Sequence, residues 1–463
     1  MTKSRLLMFV VAGCWSILPA NGEVANAPKV AVPILEVQGG EFRLGGSAIH
    51  AVGVNYFDGF RRLLEFPAKQ AVNPPEYAAG MDLLAKYKIP FARFAAGGFY
   101  PVEWHLFRDD PEKYFALLDR FVEEAGARGI GLIPSLFWAH FAVPDLCEEP
   151  ISAWGDKNSK TRAFMRRYTK AVVLRYRDSQ AIWAWEFGNE FMMEADLQSQ
   201  VKVGYWVVPD RGTATKRTAA DFPSSGDLID AYREFAEIVR NLDPKRPVMT
   251  GDAMSRGSAW HLAHGKGWKG DSAGEWRMAT LAAAPGKIDT ISLHIYHPRA
   301  DGSGYPGCGL AGATLARNFE LAAAAARASG KPLWLGEFGA GIGENSIPQR
   351  KEQVDEMLAL IERHRIGLAA YWVFDSINPD IGVWNITATN DNSWILDRIA
   401  ATNARLAGKG NKWPIGLGRA NGHGSRFPVL TNIFRGCLHL FSPPLVRPLA
   451  LSTAFTSKAI SQQ

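Results

Sequence analysis

Two glutamates offer the clearest chemistry in this sequence. Glu190 and Glu337 each follow a short apolar run of the kind that forms a buried strand. Hydrolysis of a glycosidic bond requires two facing carboxyl groups: one is protonated and assists the leaving oxygen, and the other is ionised and meets the developing oxocarbenium ion. A carboxyl group at the end of an apolar strand is costly to ionise. We expect Arg93 and the Tyr296 hydroxyl to hold Glu337 charged, whereas Glu190, with fewer positive neighbours, keeps a proton near neutral pH.

Amide and aromatic side chains near the same strand ends fit a sugar substrate. Asn189 sets an amide beside Glu190, where it could bond a sugar 2-hydroxyl, a contact that strengthens in the transition state. Sugar rings present apolar C–H faces, which pack on flat side chains. The chain has 15 tryptophans, and the candidate sugar platforms among them are Trp138, Trp185, Trp372 and Trp384. Trp185 could equally be a core residue.

Histidine and acidic residues near these strand ends also have other readings. His294 and His297 could be mistaken for metal ligands, but no carboxylate or third histidine lies at ligand spacing, so we expect no metal site. Glu186 lies within the predicted fourth strand, and we expect it to form a structural ion pair. The pair His261 and His264 falls in a loop, where we expect it to be solvated.

Eight short apolar runs, each followed by a loop and a helical pattern, must position these residues. This alternation predicts βα units and a parallel sheet. The predicted strands are Ala51–Asn55, Phe91–Phe94, Gly131–Ser135, Ile182–Phe187, Arg246–Gly251, Ile288–His294, Leu333–Glu337 and Leu368–Phe374. Eight units predict an α/β fold of the (β/α)₈ TIM barrel type, in which the C-terminal strand ends share one mouth. Glu190 and Glu337 would end strands three positions apart in that ring.

A doubly wound open sheet is the alternative architecture. It is disfavoured because Gly53-Val54-Asn55-Tyr56, after the first strand, is not a glycine-rich phosphate turn. Before the first strand, Ile34–Gln38 and Glu41–Leu44 flank two glycines, so they predict a short hairpin. We expect this hairpin to cover the barrel floor.

The two ends of the chain differ from its centre. Lys3 and Arg5 precede an apolar run and small residues, a pattern typical of an export signal, which we assign to residues 1–22 with cleavage after Gly22. The alternative is a lipoprotein acylated at Cys14. The catalytic domain is then 28–403, and we expect 404–463 to be a poorly ordered basic tail. The protein is expected to be secreted or periplasmic, with no membrane segment after cleavage.

The net charge of +6 does not indicate nucleic-acid binding. From residue 404 onward there are eight basic residues and no acidic residue, and the first 22 residues add two more bases. The remainder carries 42 basic and 46 acidic residues, so the folded part is slightly acidic. Export permits a disulfide between Cys147 and Cys308, but the sequence does not determine whether they meet.

The strand-end motifs resemble glycoside hydrolase family 5, the cellulase and β-mannanase group. The resemblance rests on WEFGNE at the end of strand four, HIYH at the end of strand six, LWLGEFG at the end of strand seven and YWVFD at the end of strand eight, and it covers roughly residues 30–400. It implies a (β/α)₈ barrel that cleaves β-glycosidic bonds with retention and needs no metal or cofactor. It further implies Glu190 as acid/base and Glu337 as nucleophile.

The resemblance also implies roles for the surrounding residues. Asn189 would bind a substrate hydroxyl, and Trp372 would be the sugar platform at the catalytic subsite. Arg93, His294 and Tyr296 would organise the nucleophile. The family's third-strand histidine is matched only loosely, by His140.

The function predicted from the sequence is a monomeric, retaining endo-β-1,4-glycanase that acts on the polysaccharides or oligosaccharides of β-glucan or β-mannan. An exo-acting β-glycosidase is one alternative, if the long loops close one end of the groove. A non-catalytic glycan-binding protein at the cell surface is another. It is disfavoured because a binding protein has no need of both carboxylates.

Overall fold

A computed structural model describes residues 33–64, 76–197, 206–298, 309–341 and 346–407 of the chain. The predicted export signal, which includes Cys14, lies outside these ranges. So do Cys308 and every residue after Ala407. Cys147 is buried and forms no disulfide within the described ranges. None of the described helices is both long enough and apolar enough to cross a membrane.

The chain begins its described part with a small antiparallel sheet. Its strands are β1 (Leu35–Gln38), β2 (Glu41–Leu44) and β3 (Ser47–Ala48). Leu35 and Phe42 belong to the same buried cluster as the first residues of barrel strands, including Phe91 and Leu368. The predicted hairpin therefore does cover the floor of the barrel.

Eight further strands form one sheet in which every pair of neighbours is parallel. They are β4 (Ala51–Asn55), β5 (Phe91–Ala95), β6 (Gly131–Phe137), β7 (Trp185–Gly188), β8 (Val248–Met249), β9 (Ile291–Tyr296), β10 (Leu333–Gly339) and β11 (Leu368–Tyr371). The first of these, β4, pairs with the last, β11, and Asp289 N–H donates to Val248 O across the β8–β9 junction (2.8 Å). The sheet is a (β/α)₈ barrel, which excludes the doubly wound alternative.

Helices surround the barrel. The described α-helices are α1 (Ala78–Lys86), α2 (His105–Asp109), α3 (Pro111–Ala127), α4 (Ala142–Leu146), α5 (Lys160–Tyr176), α6 (Ser225–Leu242), α7 (Ala259–Ala263), α8 (Ala273–Ala282), α9 (Leu315–Ser329), α10 (Ile347–Arg363) and α11 (Trp394–Ala407). Helix α11 includes residues 404–407, which the sequence had assigned to the tail.

Helix α3 illustrates how local sequence fixes these elements. Asp110 accepts a hydrogen bond from the Lys113 N–H (3.0 Å), and Pro111 occupies the first turn, where its missing N–H costs nothing. Such a cap contributes about 1 kcal/mol. Its buried residues recur at helical spacing and face the barrel: Tyr114, Phe115, Leu118, Phe121, Val122 and Ala125.

The predicted boundaries of strands one, two, three and seven lie within two residues of the observed ones, but strand six begins at Ile291, three residues later than predicted, and strand eight ends at Tyr371, three residues earlier. Strands four and five also differ. Strand β7 begins at Trp185, and Ile182 contributes only an isolated bridge to Leu132. Strand β8 contains two residues. The arginine predicted to begin it, Arg246, instead turns its guanidinium onto the carbonyl oxygens of Ile182 and Ser179.

Candidate active site

The barrel brings Glu190 and Glu337 together at one mouth. Glu190 follows β7, and Glu337 lies in β10, three strand positions away around the ring. One carboxylate oxygen of Glu190, one of Glu337 and a ring nitrogen of His294 all lie within 4.8 Å of one another. The two carboxyl groups that the sequence singled out therefore face each other at close range.

Two donors contact the Glu337 carboxylate. Arg93 Nη1 lies 2.9 Å from its Oε1, and the Tyr296 hydroxyl donates to its Oε2 over 2.7 Å. Glu337 is 5% exposed, so both contacts act in a largely water-free environment, where they are stronger than at a surface. Both donors are those expected from the sequence.

Arg93 is fully buried and connects four strand ends. Besides Glu337, its guanidinium bonds Glu186 (2.8 Å), Asn55 (3.0 Å) and Asn189 (2.8 Å). Glu186 is therefore in a structural ion pair, as expected. Its other oxygen accepts from the indole of Trp334 (2.8 Å), below the catalytic level of the barrel.

The Asn189 side chain is oriented by the same arginine. Its Oδ1 accepts from Arg93, so the amide nitrogen points away from the guanidinium. Within the described ranges, that nitrogen bonds no protein acceptor. It is thus available to a substrate hydroxyl, the contact predicted for this residue.

Glu190 has a different environment from Glu337. Its side chain is 20% exposed, and its Oε1 lies 2.6 Å from Nδ1 of His294. The same nitrogen is 3.6 Å from Glu337 Oε2. The sequence predicts that His294 organises the nucleophile; in the structure its short contact is with Glu190, and Glu337 lies farther from the same nitrogen.

Burial and charge separate the two carboxyl groups electrostatically. The pKa of Glu190 is raised well above the usual carboxyl value, first by burial and then by the charge of Glu337. Burial also raises the pKa of Glu337, but Arg93 and the Tyr296 hydroxyl oppose this rise. These surroundings favour the protonated form of Glu190 and, through Arg93 and Tyr296, the ionised form of Glu337.

His294 is a neutral imidazole in this site. Burial first, and the Arg93 charge second, lower its pKa well below the ordinary histidine value. Its Nε2 is buried and has no hydrogen-bond partner within the described residues. Gly336 makes room for that nitrogen, since a Cβ at this position would lie 2.7 Å from it.

Aromatic side chains form one wall of the mouth. Trp138 and Trp372 stack with ring centroids 6.1 Å apart, and Phe57 contacts both. The Arg93 guanidinium lies 4.4 Å from the Trp138 ring centroid, so this wall adjoins the carboxylates. Trp372 is partly exposed, as a sugar platform requires.

The remaining two candidate tryptophans have different positions. Trp384 packs edge-on against Tyr296 (5.3 Å) and belongs to the mouth. Trp185 is fully buried and donates its indole N–H to Asp243 (2.9 Å), so it is a core residue and not a platform.

His140 does not join the carboxylates. Its ring lies against Trp206 (4.5 Å between centroids), Phe141 and Phe191. Burial, together with Arg217, lowers its pKa to about 3, so it is uncharged. Within the described ranges it makes no hydrogen bond to Glu190 or Glu337.

Among the residues that the structure describes, two groups of side chains have the donor types of a metal site. The first is Glu190, His294 and Glu337. Glu190 already contacts His294, and Glu337 already accepts hydrogen bonds from Arg93 and Tyr296. The second is His261, Asp271 and Glu275. The Asp271 carboxylate accepts hydrogen bonds from the backbone N–H groups of Trp260 and His261, so it caps α7. Its Oδ1 also lies 2.6 Å from Nδ1 of His261. His261 is buried, which corrects the expectation that it is solvated.

Two residues around the carboxylates were missed by the sequence reasoning. Asn55 ends β4 and supports Arg93, and Asp252 follows β8 and contacts the turn after Glu190. Both stand at the C-terminal ends of predicted strands, so the strand-end rule that selected Glu190 would also have selected them.

The fold and the paired carboxylates define a glycoside hydrolase, and comparison with known proteins gives the family. The cellulase profile of glycosyl hydrolase family 5 matches residues 72–376, about two thirds of the chain. The chain belongs to glycoside hydrolase family 5.

Mannan-active proteins are among the relatives. A probable mannan endo-1,4-beta-mannosidase F of Aspergillus flavus is 30% identical over 191 residues, which are 39% of this chain and 31% of that protein. The chain thus matches about a third of the length of this relative. The endo-1,4-beta-mannanase of Rhizomucor miehei has a TM-score of 0.55 at 16% identity, over 81% of this chain and 99% of that one. An endo-beta-1,4-mannanase of Thermotoga petrophila has a TM-score of 0.52 at 15% identity, over 77% of both chains. These two structures share the fold.

Proposed function

We propose that this protein is a retaining endo-β-1,4-mannanase. The observation that carries the retaining mechanism is the short separation of the two carboxylates, with oxygens of both inside a 4.8 Å group. Retaining enzymes hold their carboxyl groups about 5–5.5 Å apart, whereas inverting enzymes need roughly 6.5–9.5 Å to admit a water molecule. The separation supports direct attack by one carboxylate.

In the first step Glu337 attacks the anomeric carbon while Glu190 donates its proton to the departing oxygen. The C–O bond to the leaving sugar breaks, and an ester forms between the glycosyl unit and Glu337. Arg93 and Tyr296 favour the ionised form of Glu337 before attack. The raised pKa of Glu190, caused by burial and by Glu337, favours the proton donor that this step needs.

In the second step Glu190, now ionised, takes a proton from water, and the oxygen of that water attacks the anomeric carbon. The ester to Glu337 breaks, and Glu190 regains its proton. The neutral His294 contacts Glu190 throughout and adds no positive charge that would favour early loss of the proton. The Asn189 amide nitrogen donates to the sugar 2-hydroxyl.

We propose mannan, and not glucan, as the substrate because the relatives include proteins named as mannan endo-1,4-beta-mannosidases. The β-glucan alternative and exo action give distinct results in one assay. Purified protein is incubated with β-1,4-mannan, soluble β-glucan and xylan, and new reducing ends and product lengths are measured. Mixed mannooligosaccharides from mannan support the proposal, monosaccharide alone indicates exo action, and no hydrolysis of any substrate overturns it.

The carboxylate roles are tested with azide, which can replace either group. With Glu337→Ala and an activated β-mannoside, azide should attack from the nucleophile's side and give the α-mannosyl azide. With Glu190→Ala, azide should attack the glycosyl-enzyme and give the β-mannosyl azide. If both variants gave the same anomer, or if either kept ordinary turnover, the assignment would be wrong.

A further inference from the structure

The backbone of Glu190 is unusual. Its φ is +59°, in the left-handed region that costs a residue with a side chain of order 1 kcal/mol or more. It stands at the N-cap of the 3₁₀ turn Phe191–Glu194, yet its side chain makes no capping hydrogen bond. The carboxyl group is thereby left available for proton transfer. The Met192 N–H, in the first part of the turn, consequently needs another acceptor.

Asp252 supplies that acceptor from the neighbouring strand end. Its Oδ1 accepts from the Met192 N–H (3.0 Å), two residues after Glu190, and from the Tyr232 hydroxyl (2.9 Å). The preceding residue, Gly251, accepts the N–H of Glu190 itself (2.9 Å). Two adjacent residues therefore hold the backbone on both sides of the Glu190 carboxyl group.

Gly251 allows this close approach. Its φ is +77°, and a Cβ there would lie 2.0 Å from a backbone oxygen of β7. Asp252 is 2% exposed, so its contacts to the turn are shielded from water. Gly251 and Asp252 therefore pack closely against the segment that carries Glu190.

Asp252 is also a negative group that acts on Glu190. Burial and Glu337 are the main causes that raise the pKa of Glu190; Glu194 and Asp252 add to the rise, and Arg93 opposes it. Burial raises the pKa of Asp252 itself to about 6, so it is ionised above that pH. The titratable and charged groups that face these two carboxyl groups are Glu337, Arg93, His294, Glu194, Glu186 and Tyr232.

We propose that Asp252 is a positioning residue for the acid/base glutamate: it caps the turn after Glu190 and, when ionised, adds a negative charge next to that turn. This inference rests on the proposed role of Glu190 as proton donor. Asp252 has no part in bond making, so its effect appears in the pH profile and in kcat.

The test separates the charge of Asp252 from its hydrogen bonds. Asp252→Asn keeps an oxygen for the Met192 N–H and the Tyr232 hydroxyl but removes the charge. Without a nearby negative group Glu190 loses its proton at lower pH, so the alkaline limb of kcat/KM on β-1,4-mannan should move to lower pH. One pH unit above the optimum, activity relative to wild type should fall about threefold. Asp252→Ala, which also removes the hydrogen bonds, should lower kcat at the optimum pH. Asp252→Asn, which keeps them, should have nearly the wild-type kcat at that pH.

The control is Asp355→Asn, an equal charge change on the exposed side of α10, where Asp355 pairs with Arg398. It should leave both limbs of the profile in place. An Asp252→Asn profile identical to wild type would overturn the proposal, and so would equal losses of kcat in the Asn and Ala variants.

A second measurement needs no turnover. The ¹³C resonance of the Glu190 carboxyl carbon, assigned with Glu190→Gln, is titrated in wild type and in Asp252→Asn. A lower titration midpoint in the Asn variant supports the inference, and an unchanged midpoint contradicts it. If the wild type hydrolyses no β-glycan, the proposed function fails while this titration still decides the role of Asp252.

Discussion

Replacing Tyr296 by phenylalanine tests how Glu337 is kept ionised. The hydroxyl donates to Glu337 Oε2 over 2.7 Å, and Glu337 is almost completely buried. A hydrogen bond to a charged group contributes about 1.5–3 kcal/mol. If that contribution is made to the ionised nucleophile, its loss lowers kcat/KM roughly ten- to hundredfold. The ring itself, which packs on Trp384, is retained.

The direction of the pH change follows from the same contact. The hydroxyl favours the ionised form of Glu337, so without it the pKa of Glu337 rises further. Activity that requires ionised Glu337 is lost as pH falls through that pKa. The acidic limb of the kcat/KM profile should therefore move to higher pH in Tyr296→Phe, while the alkaline limb, which the proposed mechanism assigns to Glu190, moves little.

The assay is initial-rate hydrolysis of β-1,4-mannan from acidic to alkaline pH, with folding checked by thermal unfolding. Tyr77→Phe is the matched control, because the Tyr77 hydroxyl is buried without a hydrogen-bond partner among the described residues. Its profile should match that of wild type. An unmoved acidic limb in Tyr296→Phe, or a rate within twofold of wild type, would refute the reasoning.

Three further changes probe the surrounding structure. Glu186→Gln leaves the buried Arg93 with one carboxylate fewer and should lower the free energy of unfolding by about 3 kcal/mol in urea titrations; an unchanged midpoint would contradict the buried pair. For Asp243 burial raises the pKa, but the Trp185 indole and Arg246 outweigh it and the net shift is downward. Its stabilisation is therefore present above about pH 4 and lost below it, so Asp243→Asn should lose less stability than wild type between pH 7 and pH 3. Trp372→Ala should raise KM for mannooligosaccharides about tenfold through lost apolar contact with little change in kcat, and an unchanged KM would exclude it as a platform.

Most of the fold could be predicted from local patterns in the sequence. Short apolar runs followed by helical periodicity predicted all eight barrel strands, and the cap at Asp110 predicted the start of α3. Strand β8 was the weakest prediction, because its apolar run includes Arg246 and only two of its residues pair as a strand. Strand ends were less certain than strand positions because backbone pairing depends on the neighbouring strand.

Some contacts of the site could not be predicted from residue types. A histidine near two glutamates can contact either; in the structure His294 contacts Glu190, while Arg93 and Tyr296 contact Glu337. His140 follows a strand as an active-site residue would, but Trp206, from a distant loop, covers its ring.

The sequence by itself determined the number and order of the strands and which polar side chains stand at their ends, because periodicity and capping act between residues close in the chain. The tertiary structure alone decided which of those side chains meet. The link of Arg93 to both Glu186 and Glu337, and the hold of Asp252 on the turn after Glu190, join residues from different strands. Such contacts form when the barrel closes, and its closure fixes the distances and the burial that give two chemically identical carboxyl groups different affinities for a proton.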